Sequence, residues 1–268
     1  MNRFAGARAT SRRRRPQDSC VAVANESQVR VILLDIEGTT TPVDFVTKTL
    51  FPYASRKLEL FLREHFRDVE IAVLLKDLYA QWQIDQQQQL QPPPWKDDLG
   101  ESIVQSAAAY GQWLIARDSK CTPLKTLQGK IWQEGYARGE LCGEVYPDVP
   151  KALARWRAQQ RKICVYSSGS ELAQRLLFST VPSGDLTPYI AGFFDTRVGA
   201  KGESGSYRKI AASLGHQPAE FLFISDALKE VEAAQSAGMS GALCLRDATA
   251  KAACPHRVIR NFDEVLPD

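Results

Sequence analysis

Four short stretches of the 268-residue chain hold side chains that could do chemistry together: Asp35-Ile36-Glu37-Gly38-Thr39-Thr40, Ser167-Ser168-Gly169-Ser170, Lys201, and Ser225-Asp226. Three acids, several hydroxyls and one lysine match the needs of phosphoryl transfer. Asp35 and Glu37 stand two apart, so strand alternation brings both to one face and Gly38 allows a sharp exit. One carboxylate can attack phosphorus while the other passes a proton to the leaving oxygen. Two anions do not attack an anionic phosphate unaided, so a hard cation is required. Mg²⁺ accepts one or two carboxylates, and Asp226 is a third oxygen donor. Ser167 and Ser168 precede a segment that reads as a helix, whose N-terminal amides favour an anion. Lys201 would neutralise phosphate charge and hold the nucleophile ionised. Singly, each feature has a plainer reading. A D-x-E after a strand is a weak signal, Ser-Ser-Gly-Ser is most often a capping loop, a lone lysine is usually solvated, and Asp226 could cap the next helix.

What joins them is their placement in the pattern of elements. Val29-Arg-Val-Ile-Leu-Leu34 is a short β-branched apolar run, a buried strand that ends at Asp35. From 45 to about 145 the periodicity is helical. Leu58, Phe61, Leu62 and Phe66 form one face, Ala72, Leu75, Leu78 and Trp82 a second, and Ile103, Ala107, Tyr110 and Leu114 a third. The glutamines at 86–91 running into Pro92-Pro93-Pro94 mark a helix end and a loop. After Tyr146-Pro147 strands alternate with helices: helix 149–159, strand 162–166, helix 171–179, a strand at Phe193-Phe194, helix 204–214, strand 221–224, helix 228–237 and strand 242–245. This alternation predicts an α/β fold with a doubly wound parallel sheet and an inserted all-helical cap. The predicted division is a basic leader at 1–28, a catalytic core at 29–44 and 146–268, and a cap at 45–145. In such sheets ligands bind at the carboxyl ends of strands, where all four stretches fall.

Charge and cysteine content narrow the class further. Of 34 Lys+Arg and 31 Asp+Glu, residues 1–30 hold seven arginines and two acids, so the rest of the chain carries 27 bases against 29 acids. The formal +3 therefore belongs to the leader, read here as a disordered extension; a mitochondrial transit peptide or a nucleic-acid tail are the alternatives. No run approaches the ~18 apolar residues of a membrane span. The six cysteines form no C-x-x-C pair, and Cys164 and Cys244 lie within apolar runs, which speaks against a disulfide framework or zinc site and for a reducing compartment.

The chemistry-bearing stretches, together with Tyr166 before the serines, Gly184-Asp-Leu-Thr-Pro188, Gly192-Phe-Phe-Asp-Thr196 and Ser206-Tyr207, occur in the order of a haloacid-dehalogenase-superfamily hydrolase. The combination resembles the bifunctional enolase-phosphatases of methionine salvage, the acireductone synthases. Glu37 narrows the match, because the general superfamily pattern has Asp two residues after the nucleophile. The resemblance implies Asp35 as a nucleophile that forms an aspartyl-phosphate and binds Mg²⁺, one ion per subunit, and Glu37 as proton donor and acceptor at the same metal. It implies Ser167, Ser168 and Lys201 as substrate contacts and Asp226 as the remaining metal ligand. The implied substrate is a small phosphorylated diketone, 2,3-diketo-5-methylthiopentyl-1-phosphate, enolised and then dephosphorylated by a cytoplasmic monomer with no membrane or nucleic-acid partner. A Mg²⁺-dependent phosphatase of another small ester, without enolisation, is the alternative. Gly202-Glu203 after the lysine, where family members usually have a larger residue, and the leader both depart from the family pattern.

Overall fold

The computed structural model describes residues 26–96, 100–247 and 256–267. The predicted leader lies outside the described residues except for Glu26–Gln28, which form a single 3₁₀ turn.

The central strand, β1 (Val31–Leu34), is buried along its whole length. Ile32 and Leu34 join one apolar cluster, Val31 and Leu33 the other. A strand covered on both faces reads as continuous hydrophobics, which is why this run shows no polar alternation. The same division holds in β2 (Lys162–Tyr166) and β4 (Phe221–Ser225): Ile163, Val165, Leu222 and Ile224 face one way, Cys164, Tyr166, Phe221 and Phe223 the other. With β3 (Gly192–Phe194), β5 (Ser240–Cys244) and β6 (Arg257–Ile259) they form a parallel sheet in the order β3-β2-β1-β4-β5-β6. The α/β parallel architecture is as predicted. The short β6 was not foreseen, since three residues carry too little periodicity to be seen. Strand β1 starts at Val31 rather than Val29.

The chain leaves β1 on one side, builds β2 and β3 there, then returns to lay β4 on the other. Register sets Leu34 beside both Val165 and Ile224, so the residues after all three strand ends emerge at one level. The crevice at this reversal is where the sheet leaves room for a ligand.

Between β1 and β2 come α1 (Phe51–His65, entered through a π-helical turn at Phe45–Leu50), α2 (Val69–Gln87), α3 (Glu101–Ala116), α4 (Thr122–Ala137) and α5 (Val149–Ala158). Helix α1 packs on α3 and α4, and α2 on α4 and α3. The buried face of α2 is Ile71, Leu74, Leu75 and Leu78; Leu75 and Leu78 of the predicted stripe are buried, but Ala72 is exposed and the face opens at Ile71. Trp82 instead donates its indole N–H to the Pro93 carbonyl (2.8 Å), tying the proline run back onto the helix. The two segments that join α1–α4 to the sheet run side by side, with the Tyr146 amide donating to the Thr40 carbonyl at 3.0 Å. Helices α6 (Glu171–Ser179), α7 (Ser204–Leu214) and α8 (Leu228–Ser236) complete the crossovers. No described helix is long and apolar enough to cross a membrane.

Candidate active site at the carboxyl end of the sheet

Asp35 is the first residue past β1 and is 3 % exposed. Its backbone amide still donates to Ile224 (3.0 Å), so the ladder fixes the position from which its side chain leaves. Oδ1 accepts from the Ile36 amide (2.7 Å) and from Lys201 Nζ (2.5 Å); Oδ2 accepts from the Ser225 hydroxyl at the end of β4 (2.8 Å). The Lys201 ammonium is 7 % exposed and also pairs with Glu230 Oε2 at 2.7 Å. Its backbone is held by Tyr207 of α7, whose hydroxyl donates to the Lys201 carbonyl (2.7 Å). Burial alone would drive the proton off this lysine, but Asp35 and then Glu230 outweigh it, and its pKa lies above the ordinary lysine value.

Glu230 was missed in the sequence. It stands four residues after Asp226, in the first turn of α8, a spacing that brings it back over the end of β4. Ser225 Oγ lies 2.9 Å from Glu230 Oε2 as well as 2.8 Å from Asp35 Oδ2, and accepts the Ala227 amide at 3.1 Å. A hydroxyl has one proton to give. Burial, then the charge on Asp35, push the Glu230 carboxyl above its usual range, against the pull of Lys201.

Glu37 emerges on the cleft side, where Ser167 Oγ donates weakly to Oε2 at 3.4 Å. Burial, then Asp35, raise its pKa above the usual carboxylate value, with Lys201 opposing. Ser167 is anchored by its own amide on Phe194 of β3 (3.1 Å), and its hydroxyl accepts the Gly169 amide (3.0 Å). The helix cap of α6 is Ser170, whose hydroxyl accepts the Ala173 amide (3.3 Å), which leaves Ser167 and Ser168 for the cleft. Gln174, 1 % exposed, donates to the carbonyls of Gly169 (2.9 Å) and Phe194 (2.7 Å) and so braces this loop.

Asp226 does not cap α8; the helix begins after Ala227 without a side-chain cap. Its amide donates to Thr39 Oγ1 (3.0 Å), and its carboxyl leans over Gly38, where a Cβ would come within 2.2 Å of Oδ2. Gly38 also has φ +70°, so both its conformation and its neighbour exclude a side chain. Although the residue is exposed, partial desolvation against Gly38 and then the charge of Asp35 push the Asp226 carboxyl up to about 6.

Asp35, Glu37 and Asp226 offer only oxygen ligands. Among the described residues no cation pairs with Glu37 or Asp226, because Lys201 is engaged by Asp35 and Glu230. Two carboxyls whose ionised forms lack a counter-charge, beside a third held ionically, fit a hard divalent cation. They do not close on one point: among the described residues the one trio of potential ligand atoms mutually within 4.8 Å is Glu64, His65 and Glu134, on α1 and α4.

Of the strand-end residues, Glu37, Ser167 and Ser168 open into a cleft whose empty space, open mouth included, is about 660 Å³; Asp35, Lys201 and Asp226 do not line it. Glu37, Ser167 and Ser168 form its polar floor. Val46, Leu50, Trp132 and Leu177 form an apolar wall. Lys120, Lys125 and Gln128 reach it from the α3–α4 turn and α4, and Lys125 Nζ donates to the Ser168 carbonyl (3.0 Å). Nothing in the helical periodicity announced these three.

Residues 29–238 match the family model described as haloacid dehalogenase-like hydrolase. Enolase-phosphatase E1 of Synechococcus elongatus is 46% identical over 88% of this chain and 98% of its own length. Enolase-phosphatase E1 of Drosophila melanogaster is 43% identical over 91% and 93% of the respective chains. Among solved structures, the UTR4 protein of Saccharomyces cerevisiae superposes with a TM-score of 0.70 at 31% identity, covering 88% of this chain and all of that one. CbbY of Rhodobacter sphaeroides, at a TM-score of 0.56 and 16% identity, shares the fold. With a sheet of this order, a buried Lys–Asp pair at its switch point and relatives this similar along nearly their whole length, the chain belongs to the enolase-phosphatases of the haloacid dehalogenase-like hydrolases.

Proposed function

We propose that the chain converts 2,3-diketo-5-methylthiopentyl-1-phosphate, by enolisation and then dephosphorylation, into the acireductone 1,2-dihydroxy-3-keto-5-methylthiopentene, with Mg²⁺ held by Asp35, Glu37 and Asp226. The observation that carries this reading is the buried Lys201–Asp35 pair at 2.5 Å, close in the chain to a cleft lined by both polar and apolar side chains. The polar lining suits a phosphate and a diketone, and Val46, Leu50, Trp132 and Leu177 suit a methylthio tail.

In this reading Asp35 attacks phosphorus. An O–P bond forms to its carboxylate as the ester P–O bond breaks, and Glu37 gives its proton to the departing oxygen. Burial and the charge on Asp35, which raise the Glu37 pKa, favour the protonated form this role needs. The same residue, now ionised, takes a proton from the water that hydrolyses the aspartyl-phosphate. Lys201 neutralises phosphoryl charge and keeps its partner acid ionised; Ser167 and Ser168 hold substrate oxygens. When bound, Mg²⁺ supplies charge neutralisation to the phosphoryl group and Lewis acidity to the enolate. Residues 45–145 serve as a cap that carries Lys120, Lys125 and Gln128 over the strand ends and shuts out water.

The test is turnover of the diketo phosphate in D₂O, followed by proton and phosphorus NMR. The reading expects deuterium at the carbon next to the carbonyl, or an enol signal, before inorganic phosphate. Phosphate release from other esters with no exchange on the diketone would instead make the chain a plain phosphatase.

A further inference from the structure

Arg246, two residues beyond β5, touches nothing in the cleft, yet its guanidinium holds both segments that connect α1–α4 to the sheet. Nε and Nη2 donate to the Thr39 carbonyl (2.9 and 2.5 Å). Nη1 donates to both oxygens of Asp148 (2.9 and 2.7 Å). The plane is flanked by Tyr146 at 4.3 Å and Phe262 at 4.6 Å. Side-chain exposures of 10 % for Arg246 and 11 % for Asp148 make this a mostly buried ion pair, in which one guanidinium nitrogen meets both carboxylate oxygens while the other two serve Thr39. Asp148 is itself fixed by the Phe262 amide (2.6 Å).

We propose that Arg246 is a positioning residue for the reaction, acting through Thr39 and Asp148. Thr39 belongs to the turn that follows Asp35 and Glu37, and its hydroxyl receives the Asp226 amide. Asp148 and Tyr146 lie where the chain comes back from α4, and Tyr146 is hydrogen-bonded to Thr40. One planar fork thus sets the turn bearing the acids against the returning segment. A lysine has one charged point and no fork, so it can keep Asp148 or Thr39, not both in this geometry. Misplacement by about 1 Å at a distance from the chemistry is enough for a loss of roughly a hundredfold.

The inference rests on the proposed phosphatase reading, and the experiment separates the two. Arg246→Lys and Asp148→Asn are compared with wild type in three ways: kcat and KM on the diketo phosphate, amide hydrogen exchange by mass spectrometry, and thermal melting. The expected result is kcat lowered about 10- to 100-fold with KM changed less than about threefold. Exchange should rise in peptides covering 38–41, 146–149 and 226 while peptides of β1, β2 and β4 stay protected. A lower melting temperature with unchanged kcat in the folded variants overturns the proposal and leaves Arg246 a structural staple; so does unchanged exchange at 38–41 and 226. If wild type does not act on the diketo phosphate, the proposed function fails, and the exchange pattern still decides whether Arg246 sets the turn.

Discussion

Lys201 and Asp35 meet at 2.5 Å although 166 positions separate them in the chain, and Lys201 closes a second ion pair with Glu230 at 2.7 Å. The lysine is thus placed by one acid from the end of β1 and another from the first turn of α8, with its charge fixed before any phosphate arrives. Sites of this kind stabilise charge by donors already in place.

Replacing Asp35 with Asn should remove phosphate release while sparing the fold. The amide oxygen can keep the Lys201 and Ile36 contacts, and its NH₂ can turn to Ser225 Oγ. A fall of more than about a thousandfold in a colorimetric phosphate assay is expected, with a melting temperature within a few degrees of wild type. Substantial turnover by the variant would remove Asp35 as nucleophile.

Chelation tests the cation. Treatment with EDTA should abolish phosphate release, and excess Mg²⁺ should restore it. Calorimetric titration of the stripped protein should show one binding event per chain, absent in Asp226→Asn. Activity that survives exhaustive chelation would exclude a required metal.

Gly38→Ala should damage stability and chemistry together. A residue other than glycine at φ +70° costs about 1 kcal/mol or more, and the added methyl would displace the Asp226 carboxyl. The prediction is a lower melting temperature and at least about a tenfold increase in the Mg²⁺ needed for half-maximal activity. A variant that melts lower but keeps the wild-type Mg²⁺ response would show that Asp226 is not a ligand.

His65 supplies a pH-dependent contribution to stability outside the cleft. Nδ1 lies 2.8 Å from Asp68 and Nε2 2.7 Å from Glu134, and the bond to Asp68 leads in raising the imidazole pKa above its ordinary value. Glu134 also meets Arg138 at 3.0 Å, so a cation remains there when His65 loses its proton. A raised folded pKa means the contribution is complete below the unfolded value near 6.5 and is lost as pH rises through the folded value. The melting-temperature gap between wild type and His65→Gln should therefore be wider near pH 5.5 than near pH 9; an equal gap at both would deny the ion pairs any role.

The strand-end placement of these residues was legible because a parallel sheet announces itself by short apolar runs, and the polar residue that ends each run lies on the edge where ligands bind. Asp35, Ser167 and Asp226 each end such a run, and Lys201 could be assigned by order in the chain. Glu230 was not legible: it belongs to a helix, and nothing in its sequence neighbourhood distinguishes an acid aimed at a buried lysine from one aimed at water. Lys120, Lys125 and Gln128 were hidden for the same reason. Helical periodicity reports which residues are buried, not which overhang a cleft; Gln128 is itself buried, and Lys120 stands in the turn before α4. The α2 stripe shows the limit of resolution, since Ala72 and Ile71 differ by one position and small apolar residues mark both faces equally. Arg246 has no local signature, because its partners lie some hundred and two hundred residues away.

The hydrogen bond from Tyr146 to Thr40 has a consequence for how such a chain can change over time. About a hundred residues of helix leave the sheet and return to it at points one hydrogen bond apart. From the sheet's side, that whole excursion is a single closed loop. A loop closed this tightly can be lengthened, shortened or exchanged for another without asking β1 or β2 to move. Asp35 and Glu37 on one side, and Lys120, Lys125 and Gln128 on the other, are therefore carried on separately replaceable pieces of one chain.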